Sequence, residues 1–282
     1  MLDNSFVFYL YTFIFFIFGS VIGSFLNVVI LRLHEGKPVT GRSHCPHCQH
    51  QLKTADLIPI FSYILLRGKC RYCGHKLSIQ YPLVELLAAV SFALFFLVWG
   101  QTLTDKGLTP VLLLSFLFSL FSISVLIVVS VYDLRWGLIP DKVILPALVI
   151  SLLYQLILLP VLMYTSEVYI SGVDILLDLG TVGLVGAFFF SLIFITRGKG
   201  MGGGDLKLSI FIALALGFPQ AIIALLLAFL TGALASVILL SSGKKGLKSH
   251  VPFGPFLALG AYLALLWGSQ LWSAYLQVLG FN

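Results

Sequence analysis

Four cysteines stand as two pairs, Cys45-Pro-His-Cys48 and Cys70-Arg-Tyr-Cys73, with twenty-one residues between the pairs. Two such pairs let four thiolates close around one tetrahedral ion, as in a zinc ribbon, and four sulfurs leave no open coordination position. The spacing therefore predicts a structural zinc that serves folding rather than catalysis. Two disulfides are the other use of this pattern, and a reducing cytoplasmic face argues against them. His44, His47, His50 and His75 lie among the cysteines. With four thiolates already closing the site, they are expected to be solvated or to sit behind the ligands.

The second chemical set is acidic. Asp133 closes the apolar run VLIVVSVY, and Asp205 follows Gly202-Gly203-Gly204 at the start of another apolar run. Carboxylates at membrane depth are costly and generally functional. If these two meet, they can share a proton and activate a water for peptide hydrolysis. A helix dipole opposes negative charge at a C-terminus and favours it at an N-terminus. That separates Asp133 as the expected proton holder from Asp205 as the expected anion, with Lys207 adding to the second. Simpler uses remain open: Asp205 as a helix cap, and Asp133 as a surface group paired with Arg135. Asp141 follows Pro140 and reads first as a helix start, with contact to the acidic pair as the alternative. Gly202 and Gly204 form either a flexible turn or a gap through which a substrate backbone approaches the carboxylate.

These residues need a scaffold, and the composition specifies its solvent. The chain has 282 residues, 59% hydrophobic and 10% charged, with a mean hydropathy of +1.05. Soluble domains are nearer 45–50% apolar and about 25% charged, so lipid is the expected surrounding. Apolar runs of helical length cover roughly 5–31, 82–100, 111–132, 143–163, 174–196, 219–241 and 255–278, with a shorter one at 206–217. No basic stretch precedes the first run, which is long, so it reads as a retained helix rather than a cleaved signal.

Charge placement chooses the number of crossings. Sixteen of the seventeen Lys and Arg fall in segments 32–80, 133–142, 197–207 and 243–250; only Lys106 lies elsewhere. Eight crossings put all four basic segments on one side, which the positive-inside rule makes cytoplasmic. Seven would divide them. The expectation is an all-α polytopic membrane protein with eight transmembrane helices, a cytoplasmic zinc-ribbon-like loop and both termini outside. Residues 1–105 carry the four-cysteine metal loop (32–80), and 106–282 carry the aspartates. The net charge of +6 then reads as orientation against anionic lipid, with no nucleic-acid partner.

The motifs, taken together, resemble the type IV prepilin peptidases. They are Gly23-Ser24-Phe25-Leu26-Asn27-Val28-Val29 with Arg32, the two Cys pairs, Asp56-Leu57-Ile58-Pro59, Arg67-Gly68-Lys69-Cys70 and Tyr81-Pro82-Leu83-Val84-Glu85-Leu86. In the second half they are Asp133 with Ile139-Pro140-Asp141, Gly200 through Leu208, and Pro252-Phe253-Gly254-Pro255. They run in family order along essentially the whole chain. The resemblance implies an intramembrane aspartic protease of the inner membrane, with Asp133 and Asp205 as the catalytic pair. Gly202, Gly204, Lys207 and Asp141 would support them. It implies cleavage of prepilin or pseudopilin leaders at the cytoplasmic face, then N-methylation of the new terminus by S-adenosylmethionine. The region linked to methyl transfer departs from the family pattern at His34 and at Leu86-Leu87-Ala88-Ala89.

The first half offers fewer chemical groups of its own. Asn27, Arg32, Tyr81 and Glu85 are the candidates for holding the methyl donor at the membrane edge, with interhelical hydrogen bonding as the alternative for Asn27 and Glu85. No glycine-rich dinucleotide fingerprint is present, so such a site would be atypical. Two rival readings use the same residues: a transporter or channel with Asp133 and Asp205 as a proton or cation relay, and a metal-ribbon scaffold without chemistry.

Overall fold

Backbone polar groups cannot go unpaired in a hydrocarbon layer, so apolar runs of this length fold as helices. In the computed structural model, which describes residues 4–106, 109–158, 160, 172–198, 200–241 and 252–280, all eight runs are helical. The elements are α1 (Asn4–His34), α2 (Phe61–Leu65), α3 (Gln80–Lys106), α4 (Pro110–Trp136), α5 (Asp141–Leu153), α6 (Gly172–Thr196), α7 (Gly203–Leu216), α8 (Gln220–Ser241) and α9 (Gly254–Val278). Six of them are long and apolar enough to cross a bilayer: α1, α3, α4, α6, α8 and α9. The protein is a multi-pass, all-α membrane protein.

The other three are shorter, and α2, with 5 residues, lies in the loop between α1 and α3. α5 has 13 residues with Pro146 inside it, and it continues as π-helical turns over Tyr154–Leu158. The end of the run expected at 143–163 lies largely outside the described residues. α7 has 14 residues, roughly 21 Å at 1.5 Å per residue, against a hydrocarbon layer of about 30 Å.

Two compact units divide the chain, Met1–Gly107 and Leu108–Asn282. In the first, α1 and α3 form an antiparallel pair. Phe15 stacks on Phe96 with ring centroids 4.7 Å apart, while at the other end Asn27 Nδ2 donates to Tyr81 O at 3.0 Å. Small residues let the two backbones approach closely. A Cβ on Gly23 would fall 2.7 Å from Glu85 Cα, and Ala88 and Ala89 are fully buried.

In the second unit, α4 to α9 share one core. Val129, Ile144, Phe189, Leu208, Ala224 and Leu257 each supply it from a different helix. Outward faces stay apolar and exposed, as at Leu184, Phe190, Phe194 and Leu230, which suits lipid. A carboxylate on α6 ties one end together. Asp178 accepts from Phe218 N at 2.7 Å and from Gln155 Nε2 at 3.5 Å.

Candidate functional site

Asp133 sits one turn before the end of α4, where Gly137 closes the helix in the left-handed conformation and donates its N–H to Asp133 O at 2.8 Å. The side chain turns inward and is 5% exposed. Its Oδ2 accepts from Gly254 N, the first residue of α9, at 2.9 Å. That contact needs glycine, because a Cβ on Gly254 would lie 2.6 Å from the same oxygen. The surface alternative for Asp133 is thereby displaced. Arg135 stands over the Trp136 ring at 4.9 Å.

Asp205 lies in the first turn of α7, where its Oδ2 accepts from Gly202 N at 3.1 Å. Gly202 is the N-cap residue and Asp205 the third residue of the helix, so the carboxylate reaches back to the cap backbone and is not itself the N-cap. Gly204 packs against Ile139 of the α4–α5 connection, so closely that a Cβ there would be 3.0 Å from Ile139 Cβ. Lys207 Nζ meets Asp141 Oδ1 at 2.6 Å. This ion pair fastens the start of α7 to the start of α5, just beyond the end of α4. Val129, Leu208 and Leu257 each lie about one turn into a helix from Asp133, Asp205 and Gly254, and they belong to one core cluster. Both aspartates therefore occupy the same end of this unit.

The loop between α1 and α3 builds the metal centre. Each Cys pair forms a knuckle: Cys45 N donates to His50 O at 3.0 Å, and Cys70 N to His75 O at 2.8 Å. The four Sγ atoms lie within 4.8 Å of one another, and Cys45 and Cys73 are 3.9 Å apart. Four sulfurs held tetrahedrally at about 2.3 Å from an ion would stand about 3.8 Å apart, so the cluster fits a metal, and all four thiols are free. The Cys73 N–H donates to the Cys70 sulfur and, against the effect of burial, draws that thiol down to about 7. The His75 N–H lowers Cys73, but burial and the three neighbouring sulfurs outweigh it and push Cys73 up to about 11. A bound cation is what lets all four ionise together. The four histidines are exposed, as the solvated alternative expects. His47 packs on His75 with ring centroids 3.2 Å apart, and His50 on Tyr72 at 3.7 Å.

Asp56 anchors the second knuckle. Its side chain, 4% exposed, meets Arg71 Nε at 2.7 Å; it also accepts from Tyr72 Oη at 3.0 Å and Lys53 N at 3.1 Å. Burial opposes ionisation there, but the Lys53 N–H, the Tyr72 hydroxyl and Arg71 together hold the carboxyl below its usual value.

The same unit encloses a cavity of about 660 Å³ whose wall includes Asn27, Arg32, Tyr81 and Glu85. That volume lies within the range of small-molecule sites. Asn27 is 1% exposed, and its Oδ1 accepts from Gln80 Nε2 at 3.3 Å. Glu85 Oε2 accepts from Ile60 N at 2.7 Å. Arg32 holds the chain that follows α1, donating to Val39 O at 2.8 Å, Thr40 O at 2.6 Å and Arg42 O at 2.9 Å.

The description "Bacterial Peptidase A24 N-terminal domain" matches residues 17–99, and "Type IV leader peptidase family" matches residues 120–237. Over nearly its whole length the chain is similar to proteins named prepilin leader peptidase/N-methyltransferase. The one from Bacillus subtilis (strain 168) is 33% identical, over 94% of this chain and 98% of that protein. Those from Aeromonas hydrophila (32%; 95% and 94%) and Pseudomonas putida (30%; 94% and 93%) follow. The chain belongs to the prepilin leader peptidase family. No solved structure matches it.

Two features of this prepilin-peptidase chain were not read from its sequence. Gly254 as the partner of Asp133 had one signal, the Pro252-Phe253-Gly254-Pro255 motif, which by itself says nothing of a contact 121 residues away. Ile60 has a positive φ of 64°, unusual for a β-branched residue. Only the preceding Pro59 hinted at a turn.

Proposed function

We propose that this protein cleaves the leader from type IV prepilins or pseudopilins with Asp133 and Asp205, and N-methylates the new terminus using S-adenosylmethionine. The observation that carries the peptidase reading is the buried Asp133 carboxylate, held by Gly254 N–H at 2.9 Å at the same end of its unit as Asp205. One carboxylate must take a proton from the attacking water while the other gives one to the scissile amide. Asp205 at a helix N-terminus suits the first role and Asp133 the second. Water adds to the carbonyl carbon, the C–N bond breaks, and the leaving amine departs with a proton. Gly254 N–H fixes the rotamer of Asp133. Lys207 and Asp141 position the start of α7, and Gly202 caps it.

The cavity of the first unit suits the methyl donor. Asn27 and Tyr81 supply polar groups to its wall, Arg32 shapes the adjoining backbone, and the bound donor would supply an electrophilic methyl group. The cluster of four cysteines suits a structural zinc ion. The basic segments support an inner-membrane orientation with the catalytic face cytoplasmic.

The test uses purified protein and a prepilin-like peptide. Asp133→Asn and Asp205→Asn should each lower cleavage by on the order of 10³-fold or more. Both should leave methylation of an already cleaved peptide intact. Cleavage surviving both changes would remove the assignment.

A further inference from the structure

Glu85 is 7% exposed and forms part of the cavity wall. A carboxylate out of water costs several kcal/mol unless partners compensate. Its described partners are Ile60 N–H at 2.7 Å and the Ser24 hydroxyl. Both are neutral donors, and a carboxylate has about four acceptor positions.

The wall holds three Lys and Arg side chains, and each is committed elsewhere. Arg32 is engaged with backbone carbonyls, Lys37 with Glu35 at 2.7 Å and Arg71 with Asp56 at 2.7 Å. Among the described residues no Lys, Arg or His makes an ion pair with Glu85. A buried acid on a cavity wall without a resident cation is built to receive one.

The backbone beside it points the same way. Phe61 N donates to Pro59 O at 2.6 Å, which makes Ile60, at φ 64° and ψ −53°, the centre of a γ-turn of the rare positive-φ kind. Strain of this type gathers at functional sites. It falls here on the residue whose N–H fixes the Glu85 carboxylate.

We propose that Glu85 receives the newly exposed α-ammonium of the cleaved chain in this cavity and takes its proton before methyl transfer. The assignment rests on the reading of the cavity as the methylation site. The ammonium passes a proton to the Glu85 carboxylate and becomes a neutral amine. Its lone pair forms the N–CH₃ bond as the S–CH₃ bond of the sulfonium breaks. The bonding pair stays on sulfur, leaving a neutral thioether and a protonated N-methylamine. The methyl donor also carries cationic groups, so the experiment must separate acceptor from donor.

The probes are a short apolar peptide with a free N-terminal Phe, its N-acetyl twin, and labelled S-adenosylmethionine, each bound to detergent-solubilised full-length protein. Wild type should bind the free amine at least roughly ten-fold more tightly than the acetylated peptide, as expected of a charge-assisted hydrogen bond. Glu85→Gln keeps an acceptor for Ile60 N–H. It should bring that ratio near one and stop methylation of the free-amine peptide, while leader cleavage stays at the wild-type level. Glu85→Asp, which keeps the charge, should retain part of the ratio. An unchanged ratio in Glu85→Gln, or no discrimination by wild type, overturns the proposal. Loss of donor binding with the ratio intact does so too, by putting the carboxylate on the donor. Failure of the underlying reading looks different: wild type would bind no donor, or a cavity-filling Val28→Trp would leave donor binding unchanged.

Discussion

At the residue scale, Gly254 and Asp133 form the contact on which the peptidase reading most depends. Gly254→Ala places a methyl group against Asp133 Oδ2, at 2.6 Å before any adjustment. Either the carboxylate turns or α9 shifts, and both disturb a catalytic rotamer. Cleavage should fall by on the order of 10²-fold, as displacements of about 1 Å do elsewhere, while protein yield and donor binding hold. Full activity in Gly254→Ala would show that the Gly254 N–H contact does not matter to catalysis. Asp56 gives a second prediction, in stability. Its folded carboxyl is held below the usual value, against the effect of burial, by Lys53 N–H, Tyr72 and Arg71. A lowered acid stabilises the fold above its unfolded value, near pH 4, and that share is lost as pH falls through the lower folded value. The gap in unfolding midpoint between wild type and Asp56→Asn should therefore be full at neutral pH and close as pH drops below about 4. A gap that instead widened in acid would contradict the sign. The clustering of the four cysteines was legible from their spacing. The positive φ of Ile60 was not, because nothing in Ile-Pro-Ile requires it; it accompanies the hydrogen bond from Ile60 N to Glu85.

At the element scale, helix existence was legible and helix character was not. Apolar runs marked every helix but the five-residue α2, since burying unpaired backbone in lipid leaves few alternatives. The π turns after Leu153 and the commitment of Lys207 to Asp141 depend on how neighbours pack, which a run of residues does not record. The Asp141–Lys207 pair is partly exposed, with side chains 58% and 37% accessible, so its contribution to stability should be under about 1 kcal/mol. Its expected effect is on geometry. Asp141→Asn and Lys207→Met should each reduce cleavage, and the double variant should lose little more than either alone, because both break one link. Additive losses would mean the two residues act separately. The knuckles give a further prediction. Chelation should raise protease sensitivity across 42–79 while α1 and α3 stay intact, since each knuckle has few bonds beyond its ligands. Re-added zinc should restore protection, and acid should weaken it as protons compete for the thiolates. Protection indifferent to chelator would sink the metal reading.

At the scale of the whole molecule, the question is how often the chain crosses. Six helices pass on length and apolarity. If only those crossed, the 197–207 segment would lie opposite the end of α4. Polar ties in the second unit argue otherwise. Gly254 reaches Asp133 and Lys207 reaches Asp141, so the starts of α5, α7 and α9 gather at the end of α4. At the far end, Phe218 and Gln155 meet Asp178, so α7 finishes beside the end of α5 and the first turns of α6. Each helix from α4 to α9 then runs counter to its predecessor, and α7 must travel nearly the depth of its neighbours despite 14 residues. A short helix can do this by tilting less or by thinning the bilayer around it. We propose that these six, with α1 and α3, make the eight crossings that the charge distribution favours, where length and apolarity alone mark six. The chain carries its own probes. On intact cells a membrane-impermeant amine reagent should modify Lys106, the only lysine outside the four basic segments. Lys199, Lys207 and Lys244 should react only after the membrane is opened, with peptide mass spectrometry locating each label. Modification of Lys199 or Lys207 on intact cells would reverse α6, separate Asp205 from Asp133 across the bilayer and end the case for a shared catalytic pair.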